Sequence, residues 1–424
     1  MPAPSGPSSS RTRSGASRRA AEVCRWPPVH GTRQCPPGRT NCPTRRSGRS
    51  SWLNTPSPGV SRANQSRTSD EGGSVAQVRT GSYRRILVAV DNSLAGALAT
   101  DAAIALGVGC GAEVAGIHVY AARLHDRRFT DMEPGLPPEY QHPKELQRQR
   151  DIHGSLIGEG LAAISNSYLD ATAEKCRAAG IKFDRLQAEG KNYAELVRAV
   201  RDDPCDLVAM GVSGLGDTGD GAVGSTCLRV VRRVGTDCLV VRPGAAPDGR
   251  VVVAVDGSPR SFSGLRTALA LARESGAEVE AVAAFDRDFH ISVFATLQDV
   301  LSEEADRIFG VQRQKDLHDK IIDQGIAKIY GDHLTTAEGI AADEGVEINT
   351  KLLIGKPYRA VLDYLHERPA GLLVVGKLGV HADEGLDIGS NTENLLRLAP
   401  CNTLISSRLH PADATAPATL DAAG

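Results

Sequence analysis

Aromatic residues are scarce in this chain of 424 residues, at 4% of the sequence, and its apolar stretches are short. No run of about 18 apolar residues occurs, so we expect no membrane-spanning helix. The Arg-rich N-terminus also lacks the apolar core of a secretory signal. The nine cysteines show no paired spacing, and Cys24, Cys35 and Cys42 fit no usual zinc motif. These absences favour a protein of the reduced cytoplasm.

The common catalytic signatures are missing as well. The sequence has no Gly-x4-Gly-Lys-(Ser/Thr) phosphate loop, no Gly-x-Ser-x-Gly nucleophile turn and no His-Glu-x2-His helix. No general base stands out by its surroundings. We therefore name no catalytic residue and no metal-ligating side chain as a firm prediction, and a metabolic enzyme is disfavoured.

Residues 1–80 differ in composition from the rest of the chain. They are rich in Ser, Pro, Gly, Thr and Arg, and they contain no Lys and few acidic residues. Such a segment cannot bury enough apolar surface to offset its chain entropy, so we predict a disordered arm. A basic arm allows contact with nucleic acid or acidic lipid, but only Trp26 and Trp52 offer stacking groups. A solvated tail is the favoured interpretation, and nucleic acid is not an expected partner.

From residue 83 onward, short apolar runs alternate with helix-like segments. This alternation is typical of an α/β fold with a parallel sheet and right-handed crossovers. The last strand of the first half is predicted at Cys238–Val241. The earlier strands are predicted at Arg85–Val90, Glu113–Tyr120, Phe183–Ala188 and Asp206–Met210, with helices at Tyr193–Arg201 and Thr226–Val234.

The whole pattern then repeats with a step of 165 residues. Asp91 recurs as Asp256 (256 − 91 = 165), and Gln147-Arg-Gln149 recurs as Gln312-Arg-Gln314. A period of this size indicates a duplicated domain rather than a solenoid. We predict domains at 83–243 and 250–408, joined by a linker at 244–249 and followed by a disordered tail at 409–424.

Each half contains a glycine-rich loop between an apolar strand and a helix. The loops read Gly211-x2-Gly214-x9-Gly224-Ser225 and Gly376-x2-Gly379-x9-Gly389-Ser390. Glycines let a backbone approach a phosphate closely, and the N-terminus of the following helix adds partial positive charge. Both loops are therefore candidate anion-binding sites.

These paired motifs, together with an Asp at the end of the first strand of each half, resemble the universal stress protein family over about residues 83–408. The resemblance implies two tandem open five-stranded parallel sheets with helices on both faces, in a Rossmann-like arrangement. It also implies a stress-response signalling or regulatory module that binds ATP or AMP at the carboxyl ends of the strands. Residue by residue, the resemblance assigns the site to Ala89, Asp91, Val119, Gly211, Gly214, Gly224 and Ser225 in the first half, and to Ala254, Asp256, Ala284, Gly376, Gly379, Gly389, Ser390 and Asn391 in the second.

Within that assignment, the serines that open the two helices are expected to cap them and to donate to phosphate. Acidic residues lie in or beside both loops and would either hold Mg²⁺ or repel an unaccompanied anion; they are Asp217, Asp220, Asp383, Glu384 and Asp387. Arg229, Arg232 and Arg233 follow the first loop, whereas mainly Arg397 follows the second. We therefore expect the two sites to differ, with stronger binding in the first half.

Two further features leave alternatives open. His153 and His318 occupy equivalent helical positions and are either packing residues that the duplication copied or a metal or proton-sensing pair across the halves. Cys227 lies near a helix N-terminus, which would lower the pKa of its thiol, although a buried inert cysteine is the simpler interpretation.

We expect the halves to pair through their last strands, Cys238–Val241 and Thr403–Ser406, forming a pseudo-dimer in one chain. Extra segments at roughly 121–165 and 286–330 would then cover the sites or make an oligomer contact. Protein partners are also expected. The alternatives to a nucleotide-binding module are a nucleotide-independent scaffold for protein partners, a weak ATPase or autophosphorylating protein, and an ATP-cleaving ligase or flavoprotein subunit.

Overall fold

The computed structural model describes residues 83–217, 219, 221–245, 249–287, 311–382 and 385–413, and for residues 311–323 it describes the backbone alone. Its strands follow the continuous apolar runs of the sequence, as expected for strands buried on both faces. The first half comprises β1 (Arg85–Ala89), α1 (Leu94–Cys110), β2 (Glu113–Tyr120), α2 (Ala122–Met132), α3 (Pro143–Ala178), β3 (Phe183–Glu189), α4 (Asn192–Asp202), β4 (Leu207–Gly211), α5 (Ser225–Arg233) and β5 (Asp237–Val241).

The second half repeats this order within its described residues. It comprises β6 (Arg250–Ala254), α6 (Pro259–Ser275), β7 (Glu278–Phe285), α7 (Val311–Asp343), β8 (Ile348–Ile354), α8 (Pro357–Glu367), β9 (Leu372–Gly376), α9 (Ser390–Leu398) and β10 (Asn402–Ser406). The α/β fold predicted from the sequence is confirmed. Strand boundaries differ from the predicted ones by at most one residue in the first half.

All ten strands belong to one sheet, in the order β3-β2-β1-β4-β5-β10-β9-β6-β7-β8. Neighbouring strands within each half are parallel, and the halves meet where β5 pairs antiparallel with β10. The register places Leu239 opposite Leu404. The last strands therefore pair as the sequence predicted, and each covers what would otherwise be an exposed edge.

The helices cover both faces of this sheet. One core contains buried residues of α1, α3, α6 and α7 with one set of strand side chains, including Ile86, Val88 and Val253. The other core contains buried residues of α4, α5, α8 and α9 with the alternate set, including Leu87 and Val252. This division follows from the two-residue side-chain period of a strand.

Buried polar side chains fix the seam between the halves. Asp237 is 1% exposed; its Oδ1 accepts the backbone N–H groups of Ser407 and Arg408 at 2.9 and 3.0 Å, and its Oδ2 accepts the Tyr83 hydroxyl at 3.2 Å. At the other end of the pair, Asn402 Oδ1 accepts the Arg242 N–H at 2.9 Å. Asp237 and Asn402 occupy equivalent positions in the repeat, so each half binds the chain that leaves the other half's last strand.

Cations reinforce the same seam by capping helices across it. Lys377 of the second half donates from Nζ to the carbonyls of Arg232 and Val234, at 3.0 and 2.7 Å, at the C-terminal end of α5. The reciprocal contact comes from the first half, where the Arg242 guanidinium donates to the Leu396 carbonyl at 2.5 Å, near the C-terminal end of α9. A helix C-terminus carries partial negative charge and unpaired carbonyls, so both contacts satisfy exposed acceptors.

The segment inserted between β2 and β3 consists mainly of two helices. The longer helix, α3, has 36 residues and is therefore about 54 Å long, which is about twice the length of the strands beneath it. α2 packs along α3, and Arg150 of α3 pairs with the buried Glu133 that follows α2. The inserted segment thus extends well beyond the carboxyl ends of the strands.

The described chain continues for several residues beyond its last strand. The N-terminal arm predicted at residues 1–80 and residues 414–424 lie outside the described residues. Residues 409–413, which the sequence assigned to the tail, pack against α6, where Ser263 donates to the buried Asp413 at 2.9 Å. None of the helices in the described ranges combines the length and hydrophobicity that a membrane span requires.

Replacing Asp237 by Ala should destabilise the fold strongly. The change leaves the buried Ser407 and Arg408 N–H groups without their acceptor and removes a carboxylate beside the Arg408 guanidinium. We expect a loss of about 3 kcal/mol in the free energy of unfolding, measured by denaturant titration. Asn402→Ala removes one acceptor and should cost about 1 kcal/mol. Equal and small effects would show that the seam does not depend on the carboxylate.

Candidate functional site

The first half has a cavity at the carboxyl ends of its strands. Its volume is about 520 Å³, and it lies between the ends of β1, β2 and β4 and the start of α5. The structure brings all seven residues predicted for this half to its wall, namely Ala89, Asp91, Val119, Gly211, Gly214, Gly224 and Ser225. Their role in binding a ligand stays a prediction.

The equivalent cavity of the second half is smaller. It has a volume of about 220 Å³. All eight residues predicted for this half line it, namely Ala254, Asp256, Ala284, Gly376, Gly379, Gly389, Ser390 and Asn391. The repeated motif thus builds a cavity in both halves, but the two cavities are not equal in size.

Larger side chains account for this difference. Tyr330, His381 and Leu386 line the second cavity. One repeat earlier the chain has Ser165, Gly216 and Gly221 in their place. The second cavity is therefore lined by bulky side chains at positions where the first half has small residues.

A fourth position keeps its residue type, tyrosine, in both halves but differs in what the side chain contacts. Tyr358 lines the second cavity, whereas its counterpart Tyr193 does not line the first. Arg229 and Arg233 of α5 lie over the Tyr193 ring, at 4.9 and 5.4 Å from its centroid. In the second half, Asn394 and Leu398 stand at the positions of these arginines. These two arginines contact Tyr193 and do not line the first cavity, and the expectation that the α5 arginines strengthen a phosphate site stays a prediction.

The third arginine is also engaged elsewhere. Arg232 donates to Glu393 of α9 at 2.6 Å, and Arg397 donates to the same carboxylate oxygen at 2.7 Å. This cluster lies across the seam between the halves. None of Arg229, Arg232 and Arg233 lines the first cavity.

The first glycine of each motif has a packing role. A Cβ on Gly211 would lie 2.7 Å from the backbone carbon of Ala95 and 2.8 Å from the nitrogen of Gly96. A Cβ on Gly376 would lie 3.0 Å from the nitrogen of Ser261. These glycines allow the end of β4 or β9 to lie directly against the first turn of α1 or α6.

The second glycine of each motif lies against the Asp that follows the first strand. A Cβ on Gly214 would lie 3.0 Å from Asp91 Oδ2, and a Cβ on Gly379 would lie 2.5 Å from Asp256 Oδ2. The missing side chain therefore brings the loop backbone next to the carboxylate.

The two carboxylates differ in their hydrogen bonds. Oδ1 of each accepts a backbone N–H two residues later, from Ser93 or Ser258, at 3.0 Å. Asp256 Oδ2 also accepts the Val380 N–H at 3.2 Å. Within the part of the chain that the structure describes, Asp91 Oδ2 has no hydrogen-bond donor. The first carboxylate thus keeps an acceptor available, whereas the second is used by its own loop.

The helices that follow the glycine loops begin without side-chain caps. Gly224 and Gly389 are the N-cap residues of α5 and α9, and neither helix has a side-chain cap hydrogen bond. The prediction that Ser225 and Ser390 cap these helices is therefore wrong, because each serine lies one residue inside its helix. By contrast, Ser93 caps α1 by accepting the Gly96 N–H at 2.9 Å. The first N–H groups of α5 and α9 remain available to an anion.

Of the acidic loop residues, which were expected either to hold Mg²⁺ or to repel an anion, Asp217 forms hydrogen bonds within its own loop. It accepts the Ser213 hydroxyl at 2.6 Å and the Gly219 N–H at 2.9 Å. The Ser213 hydroxyl and the Gly219 N–H hold the pKa of Asp217 below its usual value. Asp220, Asp383 and Glu384 lie outside the described residues. No cluster of three or more His, Cys, Asp or Glu side chains suited to a metal occurs among the residues whose placement is described.

Cys227 lines the first cavity near the start of α5 but is not activated. Burial raises the pKa of its thiol to about 12. The raised pKa agrees with the simpler interpretation of Cys227 as a buried, inert cysteine, because burial disfavours the charged thiolate. His153 contacts His125 of the same half, and the side chain of His318 lies outside the description.

Sequence reasoning missed several residues around the cavities. His118 of β2 packs edge-on against Tyr168 at 5.2 Å; burial lowers its pKa, and the charge of Asp91 opposes that shift. Burial likewise lowers the pKa of His333, with Asp256 opposing it. The role of Lys377 was also missed. The sequence offered a signal for it, because the second motif has this charged residue at the position where the first motif has Val212.

Comparison with known proteins decides the family. A model of the universal stress protein family matches residues 82–242 and again residues 249–407. The chain belongs to the universal stress protein family. It is a tandem member, with one family domain in each half of the duplication.

Curated relatives match one half at a time. Universal stress protein MJ0531 of Methanocaldococcus jannaschii is 25% identical over 166 residues, which are 39% of this chain and 86% of that protein. Universal stress protein YxiE of Bacillus subtilis is 27% identical over 158 residues, which are 37% of this chain and 97% of that protein.

Solved structures of universal stress proteins also match this chain, at low sequence identity. One from Archaeoglobus fulgidus has a TM-score of 0.49 at 16% identity and covers 76% of this chain and 97% of its own. Another, solved in complex with cAMP, has a TM-score of 0.26 at 20% identity and covers 38% of this chain and 97% of its own.

Substitution of the motif glycines by Ala should separate their packing role from any ligand role. Gly211→Ala places a Cβ against backbone atoms that cannot move easily, so we expect a loss of about 2 kcal/mol in the free energy of unfolding. Gly224 has a φ of −59°, and its Cβ would lie 3.3 and 3.4 Å from backbone atoms of Val212 and Ser213, contacts that a shift of a few tenths of an ångström relieves, so Gly224→Ala should cost less than Gly211→Ala, about 1 kcal/mol. Denaturant titration without ligand measures both. Equal losses would contradict the packing role of Gly211.

Proposed function

We propose that the chain binds an adenine nucleotide, ATP or AMP, in the cavity of its first half and acts as a stress-response regulatory module. The observation that carries this proposal is the cavity of about 520 Å³ at the start of α5, lined by every residue predicted for that half. Small-molecule sites generally have volumes of about 300 to 1,000 Å³. The first cavity falls within this range.

The chemical groups around the first cavity suit the parts of a nucleotide. Ala89 and Val119 offer apolar surface for a base. The available Asp91 Oδ2 suits a ribose hydroxyl, which donates a hydrogen bond to a carboxylate. The uncapped N-terminus of α5, beside Gly224 and Ser225, suits phosphate oxygens.

A magnesium ion in this site would be held mainly by the phosphates. Mg²⁺ keeps several waters and is commonly bound through one or two carboxylates and substrate phosphates. Because Asp217 is engaged by Ser213 and Gly219, it supplies no readily available ligand. Mg²⁺ in the proposed complex accompanies the nucleotide and screens its charge from the acidic loop.

The second half favours a different role. Its cavity of about 220 Å³ is below the usual range, bulky side chains line it, and Asp256 is satisfied by Val380. These observations support a nucleotide-independent second half that stabilises the seam and offers surface to protein partners. The proposed stoichiometry is therefore one nucleotide per chain.

Substituting Asp at equivalent positions of the two loops tests this proposal. Gly224→Asp places a carboxylate at the start of α5, where like charge repels phosphate, and Asp is a favourable N-cap residue that preserves the helix. We expect ATP binding in the presence of Mg²⁺, measured by isothermal titration calorimetry, to weaken at least tenfold, which corresponds to about 1.4 kcal/mol.

Gly389→Asp is the matched control in the second half. Because the same charge is then added to the smaller cavity, we expect the affinity for ATP and the stoichiometry of one to remain unchanged. A flat isotherm for the unmodified chain with both ATP and AMP would overturn nucleotide binding. Equal losses in both variants would overturn the assignment to the first half.

A further inference from the structure

A pair of histidines joins the two inserted helices of the first half. His125 lies on α2 and His153 on α3, and the His125 Nδ1 and His153 Nε2 atoms are 3.4 Å apart. Phe129, one helical turn after His125, stacks on the His153 ring with a centroid distance of 4.2 Å and an interplanar angle of 18°. The two ring nitrogens thus face each other beside an aromatic side chain that orients one of them.

The distance between the nitrogens matches that of two ligands of one ion. Histidine nitrogens lie about 2.0 to 2.1 Å from a tetrahedral Zn²⁺, so two of them are about 3.4 Å apart at the tetrahedral angle. The usual range for an N–H donor hydrogen bond is about 2.7 to 3.2 Å. The observed separation therefore matches shared coordination of one ion, and it also allows a long hydrogen bond between the two rings.

The internal repeat retains the same three residue types. One step of 165 residues takes His125, Phe129 and His153 to His290, Phe294 and His318. Between residues 123–130 and 288–295, the histidine pair and the phenylalanine pair are the only identities. The side chains of the second set lie outside the description, so this comparison concerns residue type alone. It shows that His125 and Phe129 persist where the neighbouring sequence has diverged, whereas His153 lies in a segment that the repeat preserves more widely.

We propose that His125 and His153 bind a divalent transition metal ion, with Zn²⁺ as the best match, and that the ion cross-links α2 to α3. Imidazole nitrogens suit Zn²⁺, Ni²⁺ and Cu²⁺, whereas Mg²⁺ and Ca²⁺ prefer oxygen ligands. Among the described side chains, no third His, Cys, Asp or Glu completes a cluster with this pair. Water fills the remaining positions, and the site stays open to solvent.

This site is independent of the nucleotide proposal. The inserted segment extends beyond the sheet, and neither histidine lines the first cavity. Loss of the metal should therefore leave ATP binding unchanged. A metal that fixes α2 on α3 would instead order the inserted helices as a rigid surface.

Zinc titration of the full chain tests the proposal. Cys24, Cys35 and Cys42 are replaced by Ser in every sample, so that thiols of the N-terminal arm do not compete for the ion. The protein is stripped of metal with a chelator and titrated with ZnCl₂ in a calorimeter. We expect His125→Ala and His153→Ala each to remove one equivalent of bound Zn²⁺ or to weaken its binding at least about tenfold.

His142→Ala is the matched control, because His142 precedes α3 on the same inserted segment and makes no side-chain cap contact. It should bind Zn²⁺ like its parent, and circular dichroism should show equal helix content in all four proteins. The proposal is overturned if the parent binds no Zn²⁺, or if His125→Ala and His153→Ala bind it with the stoichiometry and affinity of the parent. Either result would leave the pair as a packing contact.

Discussion

The antiparallel pairing of β5 with β10 is the contact on which the rest of the molecule depends. It joins two parallel five-stranded units into one ten-stranded sheet. Two sheet edges that would attract other chains are thereby covered within one polypeptide. The buried Asp237 and its counterpart Asn402 fix both ends of this pair. The crossed cations Lys377 and Arg242 then attach each half to a helix of the other.

The contacts that Lys377 and Arg242 make with the opposite half show what the charged residues near the loops bind. The start of α5 lines the first cavity, and its end is capped by Lys377, which follows the first glycine of the second motif. Arg232 crosses the seam to Glu393 in the same region. Cations that the sequence places near the loops therefore stabilise the junction between the halves. The first cavity is left with backbone N–H groups as its main positive element.

The duplication has diverged most clearly inside the cavities. Small residues such as Gly216 and Gly221 in the first half are replaced by His381 and Leu386 in the second. Asp91 keeps an available carboxylate oxygen, whereas the oxygen of Asp256 binds Val380. The larger side chains reduce the space for a ligand in the second cavity. The hydrogen bond from Val380 reduces the number of acceptors available to that ligand. The first cavity thus offers more space and a free acceptor to the proposed ligand than the second cavity does.

The fold was predictable because its signals are local and repeated. Buried parallel strands read as short apolar runs, and the step of 165 residues confirmed each assignment in the other half. The residues of the cavity wall were predictable as well, because the motif glycines and Asp91 follow strand ends that meet at one edge. Both the fold and the residues that line the cavities could be predicted from short sequence patterns, each confined to one strand or one loop.

The contacts between distant residues were not predictable in the same way. Serines at the loop ends suggested caps, but the observed caps fall on Gly224 and Gly389. Arg229 and Arg233 suggested phosphate contacts, but Tyr193 lies beneath them. For Cys227 the simpler interpretation, a buried inert cysteine, agrees with the structure, in which burial raises the pKa of the thiol. The capping error is a one-residue difference in where each helix begins, whereas the contact between the arginines and Tyr193 depends on packing between segments distant in sequence.

The central claim is that the first cavity binds an adenine nucleotide and the second does not. A crystal structure of the full chain grown with ATP and Mg²⁺ tests it most directly. Our account predicts electron density for one nucleotide per chain, with the base near Ala89 and Val119 and the phosphates at the start of α5. Density in the second cavity alone, or in neither cavity at saturating ATP, would contradict it.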